Sequence, residues 1–119
     1  MKNIYALTFF CFISLFSLCA WGHAFPKKQI PSPDAHLTKS PPKVIIQFNS
    51  LIEPNFSTLK VVNSHGKQVS IGKGTVNIKD STLLTVELPL LSKDQYHVYW
   101  RVAARDGYIT QGHYQFSIQ

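Results

Sequence analysis

The chain has 119 residues, of which 45% are apolar and 15% charged, and its net charge of +6 comes from 12 Lys and Arg against 6 Asp and Glu. This length limits it to one domain, and the balance is that of a globular protein and not of a disordered chain. Cys11 and Cys19 both lie within the first 22 residues and the only methionine is Met1, which excludes a disulfide scaffold, a thiolate zinc site and a multidomain enzyme.

The first segment has the layout of an export signal. Lys2 gives a positively charged start, and residues 4–20 are almost entirely apolar. This order is typical of a cleaved secretory signal peptide, predicted here for residues 1–22. An uncleaved membrane anchor is the alternative, because about 17 apolar residues is the lower limit for spanning a bilayer. Lipid attachment at Cys19 is a weaker alternative, because Leu18 is a poor residue before an acylated cysteine.

The cleavage position decides which residue begins the exported chain. Cleavage between Gly22 and His23 fits small residues at Ala20 and Gly22 and makes His23 the new N-terminus. Cleavage after Ala24 also fits a small-x-small rule and would discard His23, whereas cleavage after Ala20 would leave it in third place.

The predicted mature domain, residues 23–119, has a net charge of +5 and retains all five histidines but no Cys or Met. An exported domain without cysteine depends on its core for stability, and about 100 residues are enough for one. Its positive charge is spread along the chain, with only Lys27 and Lys28 adjacent. This pattern favours solubility over nucleic-acid binding.

The mature chain has an all-β pattern. Prolines cluster between His23 and Lys43, and this stretch is predicted to be extended, because proline and the residue before it avoid the helix. Beyond it, short runs rich in β-branched and aromatic residues alternate with turn signals, and no helical period is visible. The predicted strands are Val44–Phe48, Thr58–Asn63, Lys67–Ile71, Thr75–Lys79, Leu83–Leu88, Tyr96–Ala103 and Tyr114–Ile118.

Two hairpins are expected among these strands. One joins Thr58–Asn63 to Lys67–Ile71, and the other joins Thr75–Lys79 to Leu83–Leu88. About seven short strands at regular spacing predict a Greek-key, immunoglobulin-like β-sandwich, with a small barrel as the alternative. Trp100 is the expected core anchor.

Histidine is the natural candidate for metal chemistry in this composition. No helix-borne zinc motif, phosphate-binding loop or nucleophile elbow is present. His65 lies in a predicted turn, His97 faces away from Trp100, and nothing in the sequence assigns His36 a role. His23 differs if it is the N-terminus, because its α-amine and ring Nδ1 together chelate a metal. An amine with a pKa of about 8 gives up its proton readily, and nitrogen donors suit Cu(II).

A series of short motifs occurs in one order along the chain. They are HAF at 23–25, IPSPD at 30–34, PKVIIQF at 42–48, EPNFSTLKV at 53–61, YHVYWRVAARDG at 96–107 and GHYQF at 112–116. Together they resemble the CopC (copper resistance protein C) family of periplasmic copper-binding β-sandwich proteins. The resemblance covers essentially the whole mature chain.

The resemblance implies a Cu(II) site at an N-terminal histidine exposed by signal cleavage. In the family that histidine binds copper with the Asp and the His of a D-x-H motif, which here predicts His23 and Asp106 as ligands. The motif histidine is replaced by Tyr108, whose phenol is a poor ligand at neutral pH because its ordinary pKa is about 10. In an extended segment Asp106 and Tyr108 would share a face and point at one metal.

His113 is the nearest substitute for the missing imidazole. Tyr114 and Phe116 are expected to face the core, so a bulge at Gly112 would be needed to turn His113 toward the site. A second departure from the family is Asn49-Ser50 after Phe48, where relatives often have Ser-Glu. The absence of methionine excludes the soft Cu(I) site that some relatives carry.

The sequence thus predicts a monomeric periplasmic carrier or buffer of Cu(II), not an enzyme, with the copper ion as its partner. The resemblance alone suggests an inner-membrane copper transporter of the CopD type as a further partner. The alternative is a degenerate relative that no longer holds copper and serves as a periplasmic interaction domain. A copper monooxygenase is disfavoured, because that class needs a second ring nitrogen in the copper plane and a larger substrate face.

Overall fold

Eight strands make up the part of the chain that the computed structural model describes, residues 23–119. The predicted export signal, residues 1–22, lies outside the described residues. The strands are β1 (Pro26–Ile30), β2 (Ala35–Leu37), β3 (Lys43–Phe48), β4 (Thr58–Val62), β5 (Ile71–Val76), β6 (Leu83–Glu87), β7 (Asp94–Ala103) and β8 (Ile109–Ile118), with one 3₁₀ turn at Pro54–Phe56. No helix among the described residues has the length and apolar character to cross a membrane.

The strands form two four-stranded sheets in the orders β1-β3-β6-β5 and β2-β8-β7-β4. All neighbours are antiparallel except β2, which runs parallel to β8. The first sheet has the A-B-E-D order of an immunoglobulin domain, and β8-β7-β4 corresponds to its G-F-C sheet. The predicted immunoglobulin-like sandwich is confirmed.

The proline-rich entry segment supplies two edge strands. It is extended as predicted, with β1 along β3 and β2 along β8. Pro26 begins β1, where a missing N–H is tolerated because an edge strand has only one hydrogen-bonded side. Between the two strands the chain crosses from one sheet to the other through Pro31–Asp34.

The predicted hairpin of Lys67–Ile71 with β4 forms only next to its turn. The Asn63 N–H donates to the Lys67 carbonyl and the Val69 N–H to the Val61 carbonyl, both at 2.9 Å, on either side of the one bridge from Val62 to Gln68. The buried Ser70 hydroxyl then accepts the Val61 N–H at 2.9 Å, which replaces a backbone partner and ends the ladder. The chain crosses to the other sheet, where β5 pairs with β6.

The core lies between the sheets and is built by the inward-facing residues of both. Trp100 is 7% exposed and its ring meets Phe48 edge-on at 5.3 Å, which confirms it as a core anchor. Tyr96 and Phe116 stack at 5.5 Å further along the same sheet. The largest fully buried side chains are Tyr96, Phe48, Phe116, Ile46, Ile52, Leu59, Leu84, Val44, Val61, Val86, Val98 and Val102.

Candidate metal centre

The β7–β8 hairpin carries Asp106 and Tyr108 at its tip. The two strands pair without a register shift over ten residue pairs. Beyond them, the Ala104 N–H donates to the Tyr108 carbonyl at 2.8 Å, and the Gly107 N–H donates to the Ala104 carbonyl at 3.0 Å. Asp106 therefore lies in a tight turn and not in the extended segment that the sequence predicted. Its Oδ1 accepts the Tyr108 N–H at 3.0 Å, which fixes the carboxylate close to the turn backbone.

The segment that begins at His23 is anchored at the end of the sandwich that carries the β7–β8 tip. Ala24 is fully buried, and its carbonyl accepts the Thr110 hydroxyl at 2.6 Å. Phe25 donates its N–H to the Asn49 side-chain oxygen at 2.9 Å, and the Asn49 N–H returns to the Phe25 carbonyl at 3.0 Å. These bonds leave His23 little freedom to move away from the hairpin.

The His23 ring lies against the hairpin tip. Its centroid is 4.1 Å from that of Tyr108 at an interplanar angle of 49°, and 6.1 Å from that of Phe25 in a nearly parallel arrangement. His23 is half-buried, whereas Asp106 and Tyr108 are exposed. The structure therefore brings His23 to the same end of the sandwich as Asp106, with Tyr108 in direct contact.

His113 lies elsewhere. It is exposed on the outer face of β8, and its ring is 5.8 Å from that of Tyr99. The bulge at Gly112 that would have turned it is absent, since the β7–β8 ladder is continuous there. His113 follows Tyr108 by five residues, about 16 Å along a strand. Within residues 23–119 no three His, Cys, Asp or Glu side chains are grouped closely enough to hold a metal.

The other histidines also lie away from this end. His36 lies on β2, and its Nδ1 is 2.8 Å from the hydroxyl of Ser117 on β8. His65 lies in the turn after β4, as predicted, and His97 is half-buried on the outer face of β7. His23 is therefore the one described imidazole in contact with the β7–β8 tip.

Asn49 and Thr110 are the site residues that sequence reasoning missed. The sequence marks Asn49 only as a departure from the family pattern, whereas its hydrogen bonds to Phe25 give it a positioning role. Nothing in the sequence marks Thr110 as a site residue, because threonine is common in strands for its β propensity alone. Only the fold shows that its hydroxyl meets the Ala24 carbonyl.

The donors at this end are nitrogen and oxygen. His23 supplies its ring nitrogens, Asp106 a carboxylate and Tyr108 a phenol oxygen, and residues 23–119 contain no sulfur donor. Imidazole and carboxylate suit borderline divalent ions such as Cu(II), whereas Cu(I) prefers thiolate and thioether sulfur. The residues present fit a borderline divalent ion, the class to which Cu(II) belongs.

Replacing Thr110 by valine should destabilise the domain and test the anchoring of the first residues. The Ala24 carbonyl is buried, so Thr110→Val leaves it without its partner, at a cost of about 1–2 kcal/mol in the free energy of unfolding. Urea unfolding of residues 23–119 measures this cost. Thr58→Val, an exposed threonine on β4, is the matched control and should change stability by less than about 0.5 kcal/mol. Equal stability of the two variants would contradict the anchoring role.

Comparisons with known proteins agree with the fold and with one family. The model of the CopC domain matches residues 27–119. The chain is 30% identical to the copper transport protein CutJ of Bacillus subtilis over 118 residues, which are 98% of this chain but 22% of CutJ. It is 31% identical to the protein YobA of Escherichia coli K12 over 107 residues, 89% of this chain and 86% of YobA. The chain thus spans about a fifth of the length of CutJ and most of YobA.

Among solved structures, the fold is similar to the crystal structure of CopC from Methylosinus trichosporium OB3b. The TM-score is 0.77 and the identity 31%, with 82% of this chain and 94% of that chain covered.

Proposed function

The chain belongs to the CopC family, and from this premise we propose that it is an exported copper-binding protein that carries or buffers Cu(II) with His23 as its N-terminal ligand. A copper-binding role is what its family and relatives support. The observation that carries the finer proposal is the anchored position of His23 against the β7–β8 tip that holds Asp106.

Export is part of this proposal, because it creates the ligand. Removal of residues 1–22 in the periplasm gives His23 a free α-amine, which with the ring Nδ1 closes a chelate on the metal. Cu(II) binding then releases the amine proton, so the affinity should rise with pH around the amine pKa of about 8. The hydrogen bonds of Ala24 and Phe25 fix the backbone next to His23, which supports a chelate at a fixed place on the domain.

Asp106 is the proposed carboxylate ligand, and Tyr108 replaces an imidazole. A phenol that stays protonated at neutral pH is a weak ligand. We therefore propose that the site binds Cu(II) more weakly than a site with two histidines, which suits an ion that must be passed on. Copper is the cargo of this protein, and no catalytic step is proposed.

Variants at the hairpin tip test the ligand set. In a Cu(II) titration of residues 23–119 followed by EPR, Asp106→Asn should lower the affinity about tenfold or more, since losing even an outer-shell group costs 10–100-fold. Tyr108→His should raise it by a similar factor because it supplies a second ring nitrogen, whereas Tyr108→Phe should change it by less than about threefold. No response of affinity or EPR spectrum to Asp106→Asn and Tyr108→His would contradict the proposed site.

His113, the third predicted ligand, is tested by the same titration. Its outer-face position leads us to expect that His113→Ala binds Cu(II) as the unchanged domain does. A loss of affinity equal to that of Asp106→Asn would restore it to the ligand set.

Absence of one-to-one Cu(II) binding by the unchanged domain would favour the second candidate, a family member that has lost its copper site and acts as a periplasmic interaction domain. The specific observation behind this alternative is the exposed Tyr108 at the motif position. The resemblance to the CopC family suggests an inner-membrane copper transporter of the CopD type as the recipient of the copper, and this partner is part of the proposal.

A further inference from the structure

A groove on the outer face of the β2-β8-β7-β4 sheet has no part in the proposed copper site. It has a volume of about 950 Å³. Its floor is the outer face of β4, β7 and β8, and its wall is the segment from Gln68 to Lys73, whose last three residues begin β5. The Gln68 amide nitrogen donates to the carbonyls of Ser70 and Gly72 at 3.3 and 3.1 Å. These two bonds hold the wall in a curled conformation beside the sheet.

The floor consists of two rows of side chains that run across the three strands. In the first row Lys60 pairs with Tyr99 and Tyr99 with His113. The Lys60 ammonium lies 5.7 Å from the centre of the Tyr99 ring, and His113 lies on its other side. The first row is therefore a cation, an aromatic surface and an imidazole in contact.

The second row has Arg101 at its centre. Its neighbours across the strands are Thr58 on β4 and Gln111 on β8. Both are neutral hydrogen-bonding side chains, whereas a cross-strand carboxylate is the usual stabilising partner of an exposed cation on a sheet. Lys73 adds a further cation from the wall, and no Asp or Glu occurs among the residues that line the groove.

From this arrangement we propose that the groove binds an acidic polypeptide segment of a partner protein. Lys60 and Arg101 are diagonal neighbours on β4 and β7, a relation that separates residues by about 7–8 Å. Alternate residues of an extended peptide are about 6.6 Å apart on one face. A segment with Asp or Glu at alternate positions therefore matches the two cations.

The shape of the groove favours a peptide over a membrane surface. Arg101 lies on the floor, and the wall segment that carries Lys73 bounds the groove on one side. A narrow extended chain fits into such a concave groove, whereas a flat layer of headgroups does not. Arginine on the floor supplies paired donors for carboxylates, which adds directional hydrogen bonds to the charge attraction.

The test is a titration of metal-free, ¹⁵N-labelled protein with a hexaglutamate peptide, followed by NMR in the presence of a chelator. We use residues 23–119, which contain the complete two-sheet core described above. Saturable shifts of the amides of Lys60, Tyr99, Arg101 and Gln111 are expected. Arg101→Gln should weaken binding about tenfold, because it removes one charge-assisted hydrogen bond. Lys79→Gln changes the net charge equally at an exposed lysine of the Asn77–Asp80 turn and should change affinity less than twofold.

Three outcomes would overturn the proposal. Equal weakening by Arg101→Gln and Lys79→Gln would mean attraction to net charge alone. Shifts distributed over both sheets would mean that no groove site exists. Binding to vesicles of anionic phosphatidylglycerol, lost in Arg101→Gln, without binding of the peptide would assign the face to a membrane. Since no copper is present, failure here leaves the Cu(II) proposal untouched, and failure of the Cu(II) titration leaves the groove untouched.

Discussion

Acetylation of the His23 α-amine should lower the Cu(II) affinity of residues 23–119 by about 100-fold or more. Acetylation removes the basic nitrogen that closes the chelate with Nδ1, and a directly bound ligand should matter at least as much as outer-shell groups, whose loss costs 10–100-fold. Isothermal titration in competition with a chelator of known affinity measures the change. The EPR spectrum should show one fewer nitrogen donor at the same time.

The acetylated protein is a sharper comparison than an added residue, because an added residue brings a new amine beside the histidine. A His23→Ala chain with its amine left unmodified is the second variant, and it should lose a similar factor because it lacks the ring nitrogen. Far-UV circular dichroism should be the same for all three proteins, because the core does not include His23. Unchanged affinity after acetylation would refute the N-terminal chelate and with it the proposed carrier function.

Replacing Gly112 by alanine should destabilise the domain by about 3 kcal/mol, at the upper end of what overpacking costs. A Cβ at Gly112 would lie 2.5 Å from Cζ2 and 2.8 Å from Cε2 of Trp100. Trp100 is held by the sheet on one side and by Phe48 on the other, so the indole has little room to withdraw. For a domain of this size the melting temperature should fall by about 15 °C.

Two further variants separate the packing explanation from a loss of backbone freedom. Gly66→Ala is an open site with a φ of 77° and should cost only about 1 kcal/mol, the strain of a left-handed residue. In a Trp100→Phe background the added methyl at position 112 gains room, so its cost should fall below about 1 kcal/mol. A cost of Gly112→Ala that is the same in both backgrounds would contradict the packing explanation.

Much of the fold follows from the sequence, because alternation along a strand is a local property. The buried residues Val98, Trp100 and Val102 alternate with exposed ones, and any sheet that buries one face needs this pattern. The order of the motifs identified the family, and with it the expected roles of His23 and Asp106. Composition alone ruled out sulfur ligands in residues 23–119.

The pairing of strands was less predictable. The segment after β4 has a good turn and an apolar residue at Val69, which made a local hairpin plausible. The sequence does not show that the Ser70 hydroxyl ends the ladder or that β5 pairs with β6 in the other sheet. Sequence neighbours predict local pairing, whereas the choice between sheets depends on how the whole core closes.

The sequence by itself determined most of the strands, the core anchor and the family, since each depends on short motifs of neighbouring residues. It placed two strands wrongly, at Lys67–Ile71 and Thr75–Lys79, where the structure has the single strand β5 (Ile71–Val76). Only the tertiary structure decided that Asn49 and Thr110 anchor the first residues, that His113 lies beside Tyr99 on the outer face of β8, and that Lys60 and Arg101 line one groove. These relations join residues up to 86 positions apart. They exist because two sheets close on a common core, and the geometry of that closure is not encoded in any local pattern.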